Sequence, residues 1–69
     1  MNQDKIIALK EAYKKELENI KSLQQHYSKQ SILAETDSQR DYNNRATNVM
    51  TGHIQRLTMN IQDLEELLK

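Results

Sequence analysis

The residues best suited to chemistry lie in a polar stretch from Gln39 to Ile54, QRDYNNRATNVMTGHI. It holds Arg40 and Arg45, whose planar guanidinium groups can each donate two parallel hydrogen bonds to a phosphate. It also holds Gly52 inside a helical pattern, where glycine costs about 1 kcal/mol relative to alanine. Such a glycine lets a backbone or a ligand approach closely, and the neighbouring Thr51 carries a hydroxyl that can bond a ligand. The stretch therefore favours binding of a phosphate-bearing ligand.

The same residues have plainer interpretations. The arginines fit ordinary surface charge, and Gly52 fits close helix–helix packing at an interface. His53 fits either a packed or interfacial histidine or one that faces a ligand, whereas His26 is predicted to lie on the surface. The acidic residues between positions 63 and 66 fit a solvated helix end. The two kinds of interpretation agree if a ligand sits at an interface.

The sequence shows no pattern of catalysis or of metal binding. It lacks a Ser/His/Asp or Cys/His arrangement, and its single glycine cannot make a phosphate-cradling loop. Cysteine is absent, and the two histidines are far apart with no third ligand near them in sequence, whereas a structural zinc site normally has four ligands. We therefore predict a protein that is not an enzyme and that needs no cofactor and no metal.

Size and charge narrow the class further. A chain of 69 residues is one domain, residues 1–69. A domain this small buries only ~60% of its unfolded surface, and without disulfides or metal we expect oligomerisation to stabilise it. Ten basic and ten acidic residues give a net charge of zero, which argues against a DNA or RNA polymer as partner. Since no apolar run approaches a membrane span and nothing resembles a signal peptide, we expect a cytoplasmic protein with no membrane partner.

The first half of the sequence predicts a helix from about residue 3 to about residue 35. Apolar side chains recur at steps of mostly three and four, which places them on one face of a helix, and lysine and glutamate fill the other face. The predicted stripe consists of Ile6, Leu9, Tyr13, Leu17, Ile20, Leu23, Tyr27 and Ala34.

A second helix is predicted from about residue 37 to about residue 68. It follows Thr36, Asp37 and Ser38, each a good N-cap, and Thr36 with Gln39 fits the capping-box pattern. The fold class expected is therefore all-α, an antiparallel two-helix hairpin that assembles into a helical homo-oligomer to cover its apolar stripes. The late apolar stripe of this helix has coiled-coil spacing and comprises Met50, Ile54, Leu57, Ile61, Leu64 and Leu68. An earlier stripe faces a slightly different direction and comprises Tyr42, Ala46, Val49 and His53.

Two short motifs resemble a known family, the helical hairpin domain shared by phage anti-CBASS and anti-Thoeris nucleotide sponges. In that family the second helix carries Gln-Arg and then, in fixed register, a Thr-x-hydrophobic-x-Thr-Gly segment. Its first helix often carries a hydrophobic-Lys pair after Asn and Glu. The second-helix motif is matched by Gln39-Arg40 with Thr47, Val49, Thr51 and Gly52. The first-helix motif is matched by Glu18-Asn19-Ile20-Lys21, in which the acid and the amide are exchanged.

The resemblance implies a phage protein that forms homohexamers in the cytoplasm of its bacterial host. Such proteins bind the cyclic nucleotide signals of bacterial immunity, either cyclic di- or trinucleotides or a cyclic ADP-ribose isomer, and sequester them without cleavage. By position, Lys21 and Arg40 would contact phosphates, and the threonines with Gly52 would line the ligand or the assembly interface. The full set of expected ligand-binding residues is Lys21, Arg40, Tyr42, Arg45, Thr47, Thr51, Gly52 and His53.

The chain departs from the family at its aromatic positions. Asp41 separates Gln-Arg from Tyr42, and His53 stands where an aromatic usually follows Thr-Gly. The upstream aromatic that stacks on a base in dinucleotide-binding members falls at Ile6, and Tyr13 lies two turns later. Because base–aromatic stacking is worth ~1–3 kcal/mol, the ligand class stays open.

Two other functions stay open. One is a structural or protein-binding coiled-coil hairpin, such as an adaptor or an inhibitor of a host protein. The other is an RNA-binding hairpin dimer, which the zero net charge disfavours. A pure coiled coil has no need of Arg40, Thr47, Thr51 and Gly52 in the middle of its second helix.

Overall fold

The computed structural model describes residues 3–69, which form two α-helices, α1 (Gln3–Leu33) and α2 (Asp37–Leu67). Hydrogen bonds join Gln24 to Thr47 and Ser31 to Asn44, so the helices run antiparallel and form a hairpin 53 Å long. The predicted all-α hairpin is confirmed, with α1 ending at Leu33 rather than near residue 35 and α2 at Leu67 rather than Leu68. Met1 and Asn2, which belong to the domain predicted over 1–69, lie outside the described residues.

The turn is set by the cap of α2. Thr36 is the N-cap in extended conformation, and its Oγ1 accepts the backbone N–H of Gln39 at 3.2 Å. The Gln39 Oε1 accepts the backbone N–H of Glu35 at 3.1 Å, one residue before the N-cap. The predicted capping box is therefore confirmed in its first bond, whereas its second bond goes to the preceding residue. Asp37 in the first turn adds a favourable charge at the positive end of the helix dipole.

The two helices meet along a seam whose positions alternate at steps of four and three, as in a coiled coil. Every seam residue is buried or half-buried, although only three are fully buried, at 5–8% exposure. Those three lie in the half of the hairpin away from the turn. The seam comprises Ile6, Lys10, Tyr13, Leu17, Ile20, Gln24, Tyr27, Ser31 and Ala34 against Asn43, Thr47, Met50, Ile54, Leu57, Ile61, Leu64 and Leu68, of which Ile6, Leu57 and Ile61 are buried.

The seam corrects two positions of the predicted α1 stripe. Leu9 and Leu23 remain 44% and 41% exposed, and the next residues, Lys10 and Gln24, take the seam positions. The seam advances along α1 by four and three residues in turn, and the position four residues after Ile6 is Lys10 rather than Leu9. Gln24 is held there by its amide, which donates to the Thr47 carbonyl at 3.3 Å.

The hairpin is a layer of two helices with two broad faces and two outer edges. The apolar face carries Leu23 and Val49, whereas the polar face carries Lys21 and Thr51. The outer edge of α2 carries Gly52, seven residues after Arg45 on the same side of the helix. Over the part of the chain that the structure describes, neither helix combines the length and apolar character needed to cross a membrane.

Candidate functional site

The eight predicted ligand-binding residues do not converge on one pocket within a single chain. They divide among the polar face with the adjoining seam, the outer edge of α2, the turn, and the apolar face. The polar face and the adjoining seam carry Lys21, Thr47 and Thr51, and the outer edge of α2 carries Arg45 and Gly52. Arg40 lies at the turn, and the apolar face carries Tyr42 and His53. Arg40 and His53 stand 13 residues apart on α2, which is roughly 20 Å along its axis.

The two threonines are already engaged in hydrogen bonds inside the hairpin. The Thr47 hydroxyl donates to the Asn43 carbonyl at 2.9 Å, and the Thr51 hydroxyl donates to the Thr47 carbonyl at 3.2 Å. Thr51 Oγ1 also accepts the Gln24 amide at 2.7 Å. Thr47 is half-buried in the seam, so Thr51, which is exposed, is the one that a ligand can reach.

Lys21 lies on the polar face one turn before Gln24, the residue that contacts Thr51. It is exposed and makes no ion pair with any residue between positions 3 and 69. Lys21 and Thr51 thus supply a positive charge and a hydroxyl to the same side of the hairpin. These are two of the groups that recognise a phosphate.

The outer edge of α2 presents open backbone at Gly52 and the exposed guanidinium of Arg45. A Cβ built on Gly52 would meet no atom within 4 Å, so the glycine does not serve close packing between α1 and α2. Arg45, two turns earlier and about 10 Å away along the axis, is exposed and forms no ion pair among the described residues. The helical cost of Gly52 is therefore not offset by any contact within one hairpin.

Arg40 is tied to the first turn of its own helix. Its Nη1 lies 3.1 Å from Asp37 Oδ1, and the two side chains are 50% and 95% exposed. An exposed pair of this kind contributes about 0–1 kcal/mol, so a phosphate can displace the carboxylate at small cost. Arg40 is available as a ligand contact, with Asp37 as its competitor.

Aromatic rings cluster on the apolar face near the turn, a feature that sequence reasoning did not identify. Tyr42 is 65% exposed, and its ring centroid lies 6.5 Å from that of Tyr27 in an edge-to-face arrangement. Tyr27 in turn lies 5.6 Å from His26. His26 is exposed as predicted, and His53 is exposed on the same face farther from the turn. The cluster depends on the register that brings residues 27 and 42 together, which spacing within one helix does not reveal.

A shallow cavity of about 470 Å³ lies beside the turn, and none of the eight predicted residues lines it. Its walls are three amides, one acid and two apolar side chains, which do not favour a phosphate because no cation is among them. The lining residues are Gln30, Leu33, Ala34, Glu35, Gln39 and Asn43.

The acidic end of α2 is solvated, as predicted. Asp63, Glu65 and Glu66 are exposed, and Glu66 Oε1 lies 3.0 Å from the Lys69 ammonium. Within residues 3–69 no three histidine or acidic side chains come together as metal ligands would.

Comparison of this chain with protein-family models, curated proteins and solved structures gives no match. The likeness to the sponge family is therefore carried by the motif residues alone.

Proposed function

We propose that this protein is a phage anti-defence sponge, a homo-oligomer in the bacterial host cytoplasm that binds and sequesters cyclic nucleotide signals without cleaving them. The observation that carries the proposal is the outer edge of α2. There a Cβ added to Gly52 would meet no atom within 4 Å, and two turns away lies Arg45, which has no ion pair among residues 3–69. A helix surface without a side chain lets a ligand approach the backbone closely, and an unengaged guanidinium can donate hydrogen bonds to its phosphate.

The separation of the candidate residues supports assembly as part of the function. In one chain they face different directions, whereas a symmetric oligomer can bring the outer edge of one hairpin against a face of the next. A pocket shared between copies would also repeat one side chain around a ligand that is itself cyclic. A homohexamer, the state implied by the family resemblance, would contain several such pockets.

The chemistry of the candidate residues supports binding without cleavage. Lys21, Arg40 and Arg45 supply positive charge for phosphates, and Tyr42 and His53 supply flat rings on which a base can stack. On the polar face and the adjoining seam, the Gln24 amide and the hydroxyls of Thr47 and Thr51 are hydrogen-bonded to backbone or to each other. None of them is arranged as a nucleophile beside a base, the arrangement that hydrolysis would need.

Native mass spectrometry with cyclic di- and trinucleotides and cyclic ADP-ribose isomers tests the proposal. We expect an oligomer that gains a discrete number of intact ligand molecules. The Arg45→Ala variant should bind the same ligand at least about ten-fold more weakly, the loss of one charge-assisted contact. The matched control is Lys15→Ala, which removes one positive charge from the outer edge of α1 and should bind like the wild type.

Two outcomes would count against the sponge. One is an Arg45→Ala or Arg40→Ala protein that keeps its mass and binds every nucleotide like the wild type, which removes the site. The other is a ligand-free assembly across the whole panel. That second outcome would favour the alternative function, a structural or protein-binding hairpin, for which the exposed apolar side chains on one face are the specific observation.

A further inference from the structure

Large apolar side chains are distributed unequally over the surface of the hairpin. Nine of them are exposed among the described residues, and six lie on the apolar face. The polar face has two, Ile7 and Ile32, each near an end of α1, and the outer edge of α2 has Met59. The six that define the apolar face are Leu9, Leu23 and Leu33 from α1 and Tyr42, Val49 and Leu67 from α2.

Charge on the apolar face is confined to the half away from the turn. Between Asn19 and Leu33 in α1, and between Gln39 and His53 in α2, this face carries no Asp, Glu, Lys or Arg. The half away from the turn has two bases and two acids, so the face as a whole is neutral. Those four residues are Lys5, Glu16, Arg56 and Asp63.

The antiparallel register places opposite charges at one level. Gln24 contacts Thr47, which fixes the register of the two helices. Glu16, eight residues before Gln24, therefore lies level with Arg56, nine residues after Thr47. Both are exposed, and they form no ion pair with each other within residues 3–69. By the same register Leu23 lies level with Val49.

The size of the face matches the requirement of a stable dimer. With helix axes 8–10 Å apart the face is about 15 Å wide, and its length is 53 Å. The resulting area of roughly 800 Å² is what one partner contributes to a standard interface. The hairpin also needs such a contact, because only three of its described side chains are buried.

We propose that a second copy of this chain packs on the apolar face, with the two turns at the same end and α1 of each copy lying across α2 of the other. This arrangement sets Leu23 against Val49 of the partner and Glu16 against Arg56 of the partner, twice by symmetry. A head-to-tail pairing would instead press charged residues onto the uncharged half, which costs free energy. The proposal specifies the partner in the homo-oligomer of the proposed function and makes no use of its ligand.

Sedimentation of face variants tests the interface. Val49→Glu puts two unpaired carboxylates into it and should weaken association at least about ten-fold. Ile32→Glu is the matched control, because Ile32 is 82% exposed on the polar face and Val49 is 71% exposed on the apolar face. Its association should equal that of the wild type. A Val49→Glu protein that associates like the wild type, or an Ile32→Glu protein that alone dissociates, overturns the proposal.

Cross-linking tests the orientation and does not require a dissociated hairpin to stay folded. The chain has no cysteine, so Leu23→Cys and Val49→Cys each introduce a single thiol. With a short bis-maleimide, an equal mixture of the two should give the mixed pair at least about five-fold above either like pair. Like pairs in excess would overturn the turn-to-turn arrangement, as would an absence of cross-linked pairs in an oligomeric sample.

The two proposals fail separately. An oligomer that behaves as described here but gains no nucleotide contradicts the sponge and leaves the interface standing. A protein that binds nucleotide, but whose association and cross-linking are unaffected by the variants on the apolar face, contradicts the proposed interface and not the sponge function.

Discussion

The effect of Gly52 on the stability of its own helix can be measured separately from its effect on ligand binding or association. Because an added Cβ meets no atom within 4 Å, Gly52→Ala should stabilise the isolated hairpin by about 0.5–1 kcal/mol, the difference in helix propensity. If the glycine admits a ligand or another copy, the same variant should lose ligand binding or association. Chemical denaturation followed by circular dichroism measures the first effect, and native mass spectrometry measures the second.

Ser22→Ala is the control for that pair of measurements. Ser22 lies on the outer edge of α1, so alanine there should raise stability slightly and leave binding and mass unchanged. A Gly52→Ala protein that is more stable and otherwise behaves like the wild type would mean that the glycine has no role in function.

Single residues are also where sequence reasoning was least reliable. Leu9 and Lys10 differ by one position, and a helical period of 3.6 allows either to lie near the seam. Hydrophobicity favoured Leu9 and Leu23, whereas the seam takes Lys10 and Gln24 because register and the hydrogen bond from Gln24 to the Thr47 carbonyl decide the outcome. The partner of a polar seam residue lies on the other helix, and so the sequence of one helix cannot reveal it.

At the scale of the element, the N-cap of α2 is predicted to contribute measurably to stability. Thr36→Ala removes the acceptor for the Gln39 backbone N–H and should lower the free energy of unfolding by about 1 kcal/mol. Ser38→Ala, two residues later, changes an exposed hydroxyl inside the first turn and should be nearly neutral. Equal effects in urea denaturation at one protein concentration would show that the hydroxyl of Thr36 does not cap the helix.

Helices were the most predictable level of this structure. The recurrence of apolar residues at steps of three and four predicted both helices. The run Thr36-Asp37-Ser38 predicted the break between them, because a side-chain oxygen there can accept a backbone N–H that has no partner within the helix. The aromatic cluster and the division of the candidate residues among different sides were not predictable, since both depend on how two helices are paired. A motif read along one helix, such as Arg40 to Gly52, spans several turns and need not form one site.

At the scale of the whole molecule, stability should depend on protein concentration. Since only three side chains among residues 3–69 are buried, we expect association to offset part of the conformational entropy that folding costs. Each ten-fold dilution of a dimer costs about 1.4 kcal/mol of apparent stability. For a chain of 69 residues that lowers Tm by roughly 5 °C.

Thermal melts followed by circular dichroism, from about 100 µM down to about 1 µM, measure this dependence. Val49→Glu should melt at lower temperature and with a weaker concentration dependence, because its association is impaired in advance, whereas Ile32→Glu should follow the wild type at every dilution. A Tm that stays constant over this range, with full helicity at the lowest concentration, would mean that one hairpin folds alone. The exposed apolar face would then have to be explained by a partner other than a second copy.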